Sequence, residues 1–138
     1  MSPPTETTAI DSYHAHIYYD PAGPSKDEAA RLRAAMGERY AVQMGRWHDV
    51  PVGPHAGAMY QVAFATDLFA DLVPWLLLAR GSLTVLVHPN TGTPRADHMQ
   101  HALWLGQVLP LKAETLPEHE ALEDILPVVP NTTAGKLA

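Results

Sequence analysis

The chain contains no cysteine, which excludes disulfides, thiolate metal ligands and iron–sulfur clusters. It also lacks an excess of positive charge, because nine Lys and Arg residues stand against 15 Asp and Glu, a net charge of −6. This balance argues against a nucleic-acid partner, since no basic surface is available to neutralise phosphates. The absence of cysteine is also consistent with a reducing compartment.

Long hydrophobic runs are absent as well. The longest apolar stretch, residues 72–79, is interrupted by Pro74 and is too short to cross a bilayer. Residues 1–8 are polar and lack the basic and apolar regions of a signal peptide. We therefore expect a cytoplasmic protein without membrane contact. No glycine-rich phosphate loop and no Gly-x-Ser-x-Gly motif is present.

The residues that are present suit one folded domain. Hydrophobic residues make up 46% of the 138-residue chain, which is enough for a single core. We predict a flexible N-terminal arm over residues 1–11, one domain over 12–112 and a C-terminal extension over 113–138. The arm is polar, and the extension is rich in proline and acidic residues.

Hydrophobic periodicity predicts the elements of this domain. Alternating residues predict strands at 12–20, 41–48, 58–65 and 82–88, and helical spacing predicts helices at 25–40 and 66–80. Ser25 and Glu28 have the spacing of a capping box, and Gly81 is suited to end the second helix. A helical turn at 97–103, a strand at 104–107 and a helix at 118–126 complete the prediction.

The order β-α-β-β-α-β is typical of a ferredoxin-like α+β fold. In that fold an antiparallel sheet with strand order 4-1-3-2 carries both helices on one face. The parity of each strand then assigns its side chains to a face. The helix-covered face is predicted to hold Ala15, Ile17, Val62, Phe64, Val85 and Val87. The opposite face is predicted to hold His14, His16, Gln61, Ala63 and His88. Because no helix covers that second face, we expect a face-to-face homodimer.

Histidines on the uncovered face indicate a site. His14 and His16 project from the same side of the first strand, about 7 Å apart at strand spacing. The predicted topology brings His88, at the end of the fourth strand, beside them. His98 follows a loop that leaves this strand, and His55 reaches the face only if the loop at 49–57 curls over it. Imidazoles gathered in this way predict a metal or catalytic site.

The alternative for any single histidine is an ordinary surface or core role. We assign that role to His48, His101 and His119, which lie at a strand end, on a turn and in the acidic extension. The three tryptophans are expected in the core.

Several of these segments together resemble the DOPA 4,5-dioxygenase family of fungal and bacterial type. The residues that carry the resemblance are the segments 13–19, 51–55, 59–64, 80–92 and 97–106. They include the paired His14 and His16, the His88-Pro89-Asn90 sequence and the Asp97-His98 pair. The match runs in register over residues 12–111. One departure is Ala56 after His55, where family segments often carry proline.

The resemblance implies a ferredoxin-like fold and extradiol cleavage of a catechol, such as L-DOPA, by O2 with non-haem Fe(II). The usual iron site has two histidines and one carboxylate, and Asp97 is the nearest carboxylate. Our preferred ligand set is all histidine, drawn from His14, His16, His55 and His88. We expect His98, or His14, to act as acid–base catalyst, and Gln61 and Arg80 to hold the substrate. The choice between iron and manganese stays open.

Two other functions fit the same residues. One is a metal-free dimeric module that binds a small aromatic molecule on the uncovered face. The other is a cofactor-free monooxygenase of the same fold. The metal content of the purified protein distinguishes them from the dioxygenase.

Overall fold

A computed structural model describes residues 2–121 and 124–129 of the chain. The strands are β1 (Ser12–Tyr18), β2 (Gln43–His48), β3 (Met59–Phe64), β4 (Val85–Asn90) and β5 (Leu103–Leu105). The helices are α1 (Ser25–Arg39), α2 (Phe69–Ala79) and α3 (Pro94–Met99). Short 3-10 turns lie at Thr7–Ala9, Thr66–Leu68 and Ala113–Thr115.

The sheet has the predicted topology. Its strand order is β2-β3-β1-β4-β5, and β1 is antiparallel to both β3 and β4. The first four strands therefore follow the predicted 4-1-3-2 order, and the ferredoxin-like prediction is confirmed. The short β5 adds a fifth strand at the β4 edge, where Leu86 pairs with Trp104.

The main core lies between the sheet and the two long helices. The apolar face of the sheet packs against Leu32 and Met36 of α1 and against Leu72 and Leu76 of α2. All six residues predicted for this face are buried, and they are Ala15, Ile17, Val62, Phe64, Val85 and Val87. Their burial removes apolar surface from water, which is the main favourable term in folding.

The capping box predicted at the start of α1 is wrong. Pro24 occupies the cap position without a side-chain cap bond, and the Ser25 hydroxyl instead accepts a hydrogen bond from the backbone N–H of Asp20. The Glu28 carboxylate accepts hydrogen bonds from both the backbone N–H and the hydroxyl of Ser82. A tertiary partner ahead of β4 therefore competes successfully with the local cap.

Some predicted boundaries also shift. β4 begins at Val85 rather than residue 82, because Gly81 has a φ of +58° and the chain turns there, with the Leu83 N–H bonded to the Arg80 carbonyl. α3 begins at Pro94, ahead of the predicted turn at 97–103, since proline suits the first turn of a helix. The described residues of the segment predicted as a helix at 118–126 form no α-helix, and residues 130–138 of the predicted extension lie outside the described residues.

The second face of the sheet is not bare, which corrects the premise of the predicted face-to-face dimer. Tyr18, Met59 and Leu86 on this face are buried under loop and edge residues. The covering side chains are Val52, Ala102, Trp104, Leu109 and Leu111. Loops therefore cover part of this face, as the two long helices cover the other. Among the described residues, no helix is long and apolar enough to cross a membrane.

Candidate metal centre

Three histidines form the floor of a site on the loop-covered face. His14 and His16 lie on β1, and His88 lies on β4 directly opposite His14 in the antiparallel register. The Nε2 atoms of His16 and His88 are 3.1 Å apart. The rings of His14 and His88 are 5.2 Å apart, centroid to centroid. The strand parity read from the sequence therefore places these three imidazoles on one face, as predicted.

Two further histidines reach the floor from outside the sheet. His55 comes from the loop between β2 and β3, which does curl over the face, and its ring centroid lies 4.2 Å from that of His16. A bridge between His55 and Leu111 ties this loop to the chain after β5. His98 projects from α3, and its ring lies 3.8 Å from that of His88. Five imidazoles thus converge at one place.

Two overlapping triads within this cluster have ligand atoms within 4.8 Å of one another. One consists of His14, His16 and His88, and the other of His16, His55 and His98. His16 belongs to both triads and is therefore the central residue of the cluster. His16, His55, His88 and His98 are all buried, whereas His14 is half-buried.

Hydrogen bonds on the outer side of the rings fix which nitrogens face inwards. His88 Nδ1 donates to the Pro89 carbonyl at 2.9 Å, and His98 Nδ1 donates to the Pro94 carbonyl at 2.7 Å. In each neutral ring the Nε2 atom then carries a lone pair that faces the cluster. This arrangement is typical of metal-binding histidines, which use the remote nitrogen to anchor the ring.

Burial keeps these rings neutral. Desolvation, together with the nearby His98, lowers the pKa of His14 to about 4, and desolvation likewise lowers the pKa of His55 to about 4. Desolvation and the other histidines lower the pKa of His16 and His88 well below the ordinary value, and desolvation also lowers that of His98. Neutral imidazoles at pH 7 are ligands that are ready to bind a cation.

The donor set fits a transition-metal ion. Imidazole suits iron, copper, nickel and zinc, and two nitrogens bound side by side at about 2.1 Å from a metal lie about 3 Å apart. The 3.1 Å between the Nε2 atoms of His16 and His88 matches that spacing. Without a cation, this pair can satisfy itself only if His16 donates to His88.

The nearest carboxylate is committed elsewhere. Asp97 is buried, and its oxygens accept hydrogen bonds from the Thr91 backbone N–H, the Thr91 and Thr93 hydroxyls and the ring of His101. Asp97 thus holds the turn before α3, the helix that carries His98. The all-histidine set preferred from the sequence is the one that this geometry supports. His101, expected on an exposed turn, has a half-exposed side chain.

The two predicted substrate-binding residues have different positions. Gln61 lies opposite His16 on β3 and lines the histidine cavity. Arg80 lies at the C-terminal end of α2, where its guanidinium donates to the carbonyls of Leu83 and Gly81. Arg80 is not among the described residues that line the cavity, so it is not positioned to hold a ligand there.

The cavity above the histidines has a volume of about 300 Å³. Its floor is formed by the sheet, and part of its wall comes from the C-terminal extension. The extension contributes Leu116, Pro117, Glu120 and Ile125. It is held by Arg95, which donates to the carbonyls of Ala113 and Leu116 and pairs with Glu118.

Sequence reasoning missed two parts of this site. The first is Tyr18, whose hydroxyl forms a hydrogen bond with His55 Nδ1 at 2.5 Å. The signal in the sequence was its strand parity, which Tyr18 shares with His14 and His16. The wall from the extension had no signal in the sequence, because it depends on the backbone contacts that Arg95 makes.

A larger and more apolar cavity, of about 560 Å³, also borders on His88. The N-terminal arm, Tyr13 and Phe69 line it, and His88 and His101 are its histidines. The imidazole nitrogens converge in the smaller cavity, so the chemistry belongs there.

Comparisons with known proteins show which family this chain belongs to. The model of the Dopa 4,5-dioxygenase family matches residues 13–115. A DOPA 4,5-dioxygenase from Amanita muscaria is 34% identical over 131 residues, which cover 85% of this chain and 58% of that protein. An uncharacterized 21.2 kDa protein from Botryotinia fuckeliana is 32% identical over 121 residues, which cover 78% of this chain and 64% of that protein. The chain therefore spans about three fifths of the length of these relatives.

A solved structure shares the fold. The crystal structure of a candidate dioxygenase from Nostoc punctiforme superposes with a TM-score of 0.78 at 49% identity. The alignment covers 81% of this chain and 96% of that one.

Proposed function

Because the chain belongs to the Dopa 4,5-dioxygenase family, we propose that it is an extradiol ring-cleaving dioxygenase that uses non-haem Fe(II) and O2. The observation that carries this proposal is the convergence of five imidazoles, four of them buried, in one cavity. Its substrate is a catechol such as L-DOPA or a related aromatic.

The metal ligands in this proposal are His16 and His88 with His14, which together form one of the two triads. His55, which forms the other triad with His16 and His98, is the fourth candidate ligand. These imidazoles would hold the iron, which when bound would supply the Lewis-acid and redox chemistry of an extradiol reaction. The carbonyl anchors of His88 and His98 hold these two rings in place before any ligand binds.

Proton transfer is assigned to His98, with His14 as the second candidate. The carbonyl of Pro94 holds the proton on His98 Nδ1, so the free Nε2 can accept a proton from a catechol hydroxyl. The same nitrogen can return that proton to the ring-opened product. The low pKa of His98 keeps this nitrogen unprotonated at pH 7. Gln61 provides an amide beside His16 that can hydrogen-bond a substrate oxygen.

The overall reaction incorporates both atoms of O2 into the product and breaks one ring carbon–carbon bond. Water exclusion is supported by the depth of the floor, since His16 and His88 are almost fully buried. Burial of the floor strengthens the electrostatic contacts between these residues and a bound catecholate.

The test is to strip the protein of metal, reconstitute it with Fe(II) under anaerobic conditions and measure O2 uptake with L-DOPA and caffeate. We expect uptake to require iron and to produce a yellow ring-opened product. Stoichiometric iron without uptake across a panel of catechols would contradict the dioxygenase. No metal after reconstitution would favour the aromatic-binding module instead.

A homodimer and a cytoplasmic location stay predictions of the sequence. The loop covering of the second face removes the reason that favoured a face-to-face dimer. Light scattering of the purified protein measures the oligomeric state directly.

A further inference from the structure

The cavity wall opposite the histidine floor carries one carboxylate that no other described group uses. Glu120 lines the cavity, and its backbone N–H is bonded to the carbonyl of Gly92 at 2.7 Å. Its side chain is exposed and makes no hydrogen bond or ion pair with any described residue. Because the backbone is fixed and the carboxylate is free, Glu120 presents a negative charge at the mouth of the site.

The other charged groups around the cavity do not balance Glu120. Asp97 is the second charged residue among the described lining residues, and its oxygens are occupied by Thr91, Thr93 and His101. No Lys or Arg is among the described lining residues. Arg95, which anchors the same segment, is committed to main-chain carbonyls and to Glu118.

The floor contributes little charge of its own. A divalent cation held by the histidines would be offset by the negative charge of a bound catecholate. The tail of such a substrate must point away from the buried floor towards the exposed wall. There it meets the apolar side chains of Leu116, Pro117 and Ile125 and the carboxylate of Glu120.

We propose that Glu120 selects catechols whose side chain carries a protonated amine and disfavours those whose side chain carries a carboxylate. This inference rests on the proposed function for its catechol, and it adds the charge class of the substrate. An ammonium group gains a charge-assisted partner at the mouth, whereas a carboxylate there meets a like charge.

The experiment compares three catechols that differ only in the tail, namely dopamine, 4-methylcatechol and 3,4-dihydroxyphenylacetate. Binding constants are measured by calorimetry on the Fe(II)-loaded protein without O2, and kcat/KM is measured with O2. We expect affinity to fall from dopamine to 4-methylcatechol to 3,4-dihydroxyphenylacetate. In Glu120→Gln the ratio of dopamine to 3,4-dihydroxyphenylacetate affinity should fall by about threefold, because solvent screens an exposed charge pair.

Glu114→Gln is the matched control, since it removes the same charge from an exposed position of the same segment outside the cavity. It should leave the affinity ratio unchanged. An unaltered ratio in Glu120→Gln, or an equal change in Glu114→Gln, would overturn the inference. Charge-selective binding without turnover of any catechol would support Glu120 and contradict the dioxygenase. Turnover without charge selection would support the dioxygenase and contradict the role of Glu120. A protein that neither binds nor turns over these catechols would contradict both proposals.

Discussion

Neighbouring residues of β1 show how differently the two faces of the sheet are used. Ile17 pairs with Val85 and enters the apolar core, whereas His16, one residue earlier, pairs with Leu86 and enters the histidine cluster. Both faces are buried, one under α1 and α2 and the other under loops. The apolar face stabilises the fold by removing apolar surface from water. The second face instead holds neutral imidazoles whose nitrogens are able to bind a metal ion. Stability and chemistry are thus separated by strand parity.

The largest expected effect is the pH dependence of the free energy of unfolding. Each cluster histidine has a pKa below 6.5 in the folded protein, so between pH 6.5 and about 4 the unfolded chain binds more protons. The free energy of unfolding of the metal-free protein should therefore fall as pH falls, by about 1.4 kcal/mol per pH unit for each histidine that stays neutral. Urea unfolding at pH 7, 6 and 5 measures this slope. His55→Gln should reduce it, and a stability that is independent of pH would contradict the neutral cluster.

The apolar face is tested by Phe64→Ala. The ring is fully buried and stacks on Tyr13 with centroids 5.4 Å apart. Its loss should lower the free energy of unfolding by about 3–5 kcal/mol, because it leaves a cavity. Urea denaturation provides the measurement. Leu78→Ala, at a side chain that is 88% exposed, is the control and should change stability little.

On the histidine face, His16→Ala should affect iron binding and activity more than stability. His16 belongs to both triads, so its removal should lower iron content and reduce ring cleavage by about a hundredfold or more. Stability at pH 7 should suffer less than in Phe64→Ala. Metal analysis, O2 uptake and urea unfolding measured together decide the matter. Full activity in His16→Ala would remove this residue from the mechanism.

The smallest expected effect is on iron affinity, and it is tested at two adjacent tyrosines on opposite faces of the sheet. Tyr18 holds His55 Nδ1, whereas Tyr19 donates to the Asp49 carboxylate at 2.6 Å. Tyr18→Phe should weaken iron binding about tenfold, because it frees the ring of His55. Tyr19→Phe is the matched control and should leave iron affinity unchanged. Competition with a chelator measures both affinities, and equal values would show that Tyr18 does not position His55.

Much of the fold could be predicted because its signals are local and periodic. The alternation around Ala15 and Ile17, and the helical spacing of Leu32 and Met36, identify the elements and their buried sides. The capping of α1 could not be predicted, since Glu28 has a better partner in Ser82, 54 residues away. The role suggested for Arg80 depended on where the end of α2 lies relative to the site.

The sequence by itself determined that His14, His16 and His88 share one face, because parity on a strand is fixed by the alternating geometry of the backbone. Only the tertiary structure decided that His55 and His98 join them, since His55 arrives on a loop held by a long-range contact with Leu111. His98 arrives on the short helix α3, which the hydrogen bonds of Asp97 hold in place. Only the tertiary structure also lowered the pKa of His16 and His88 well below the ordinary value, because the cause is burial, which no local pattern encodes.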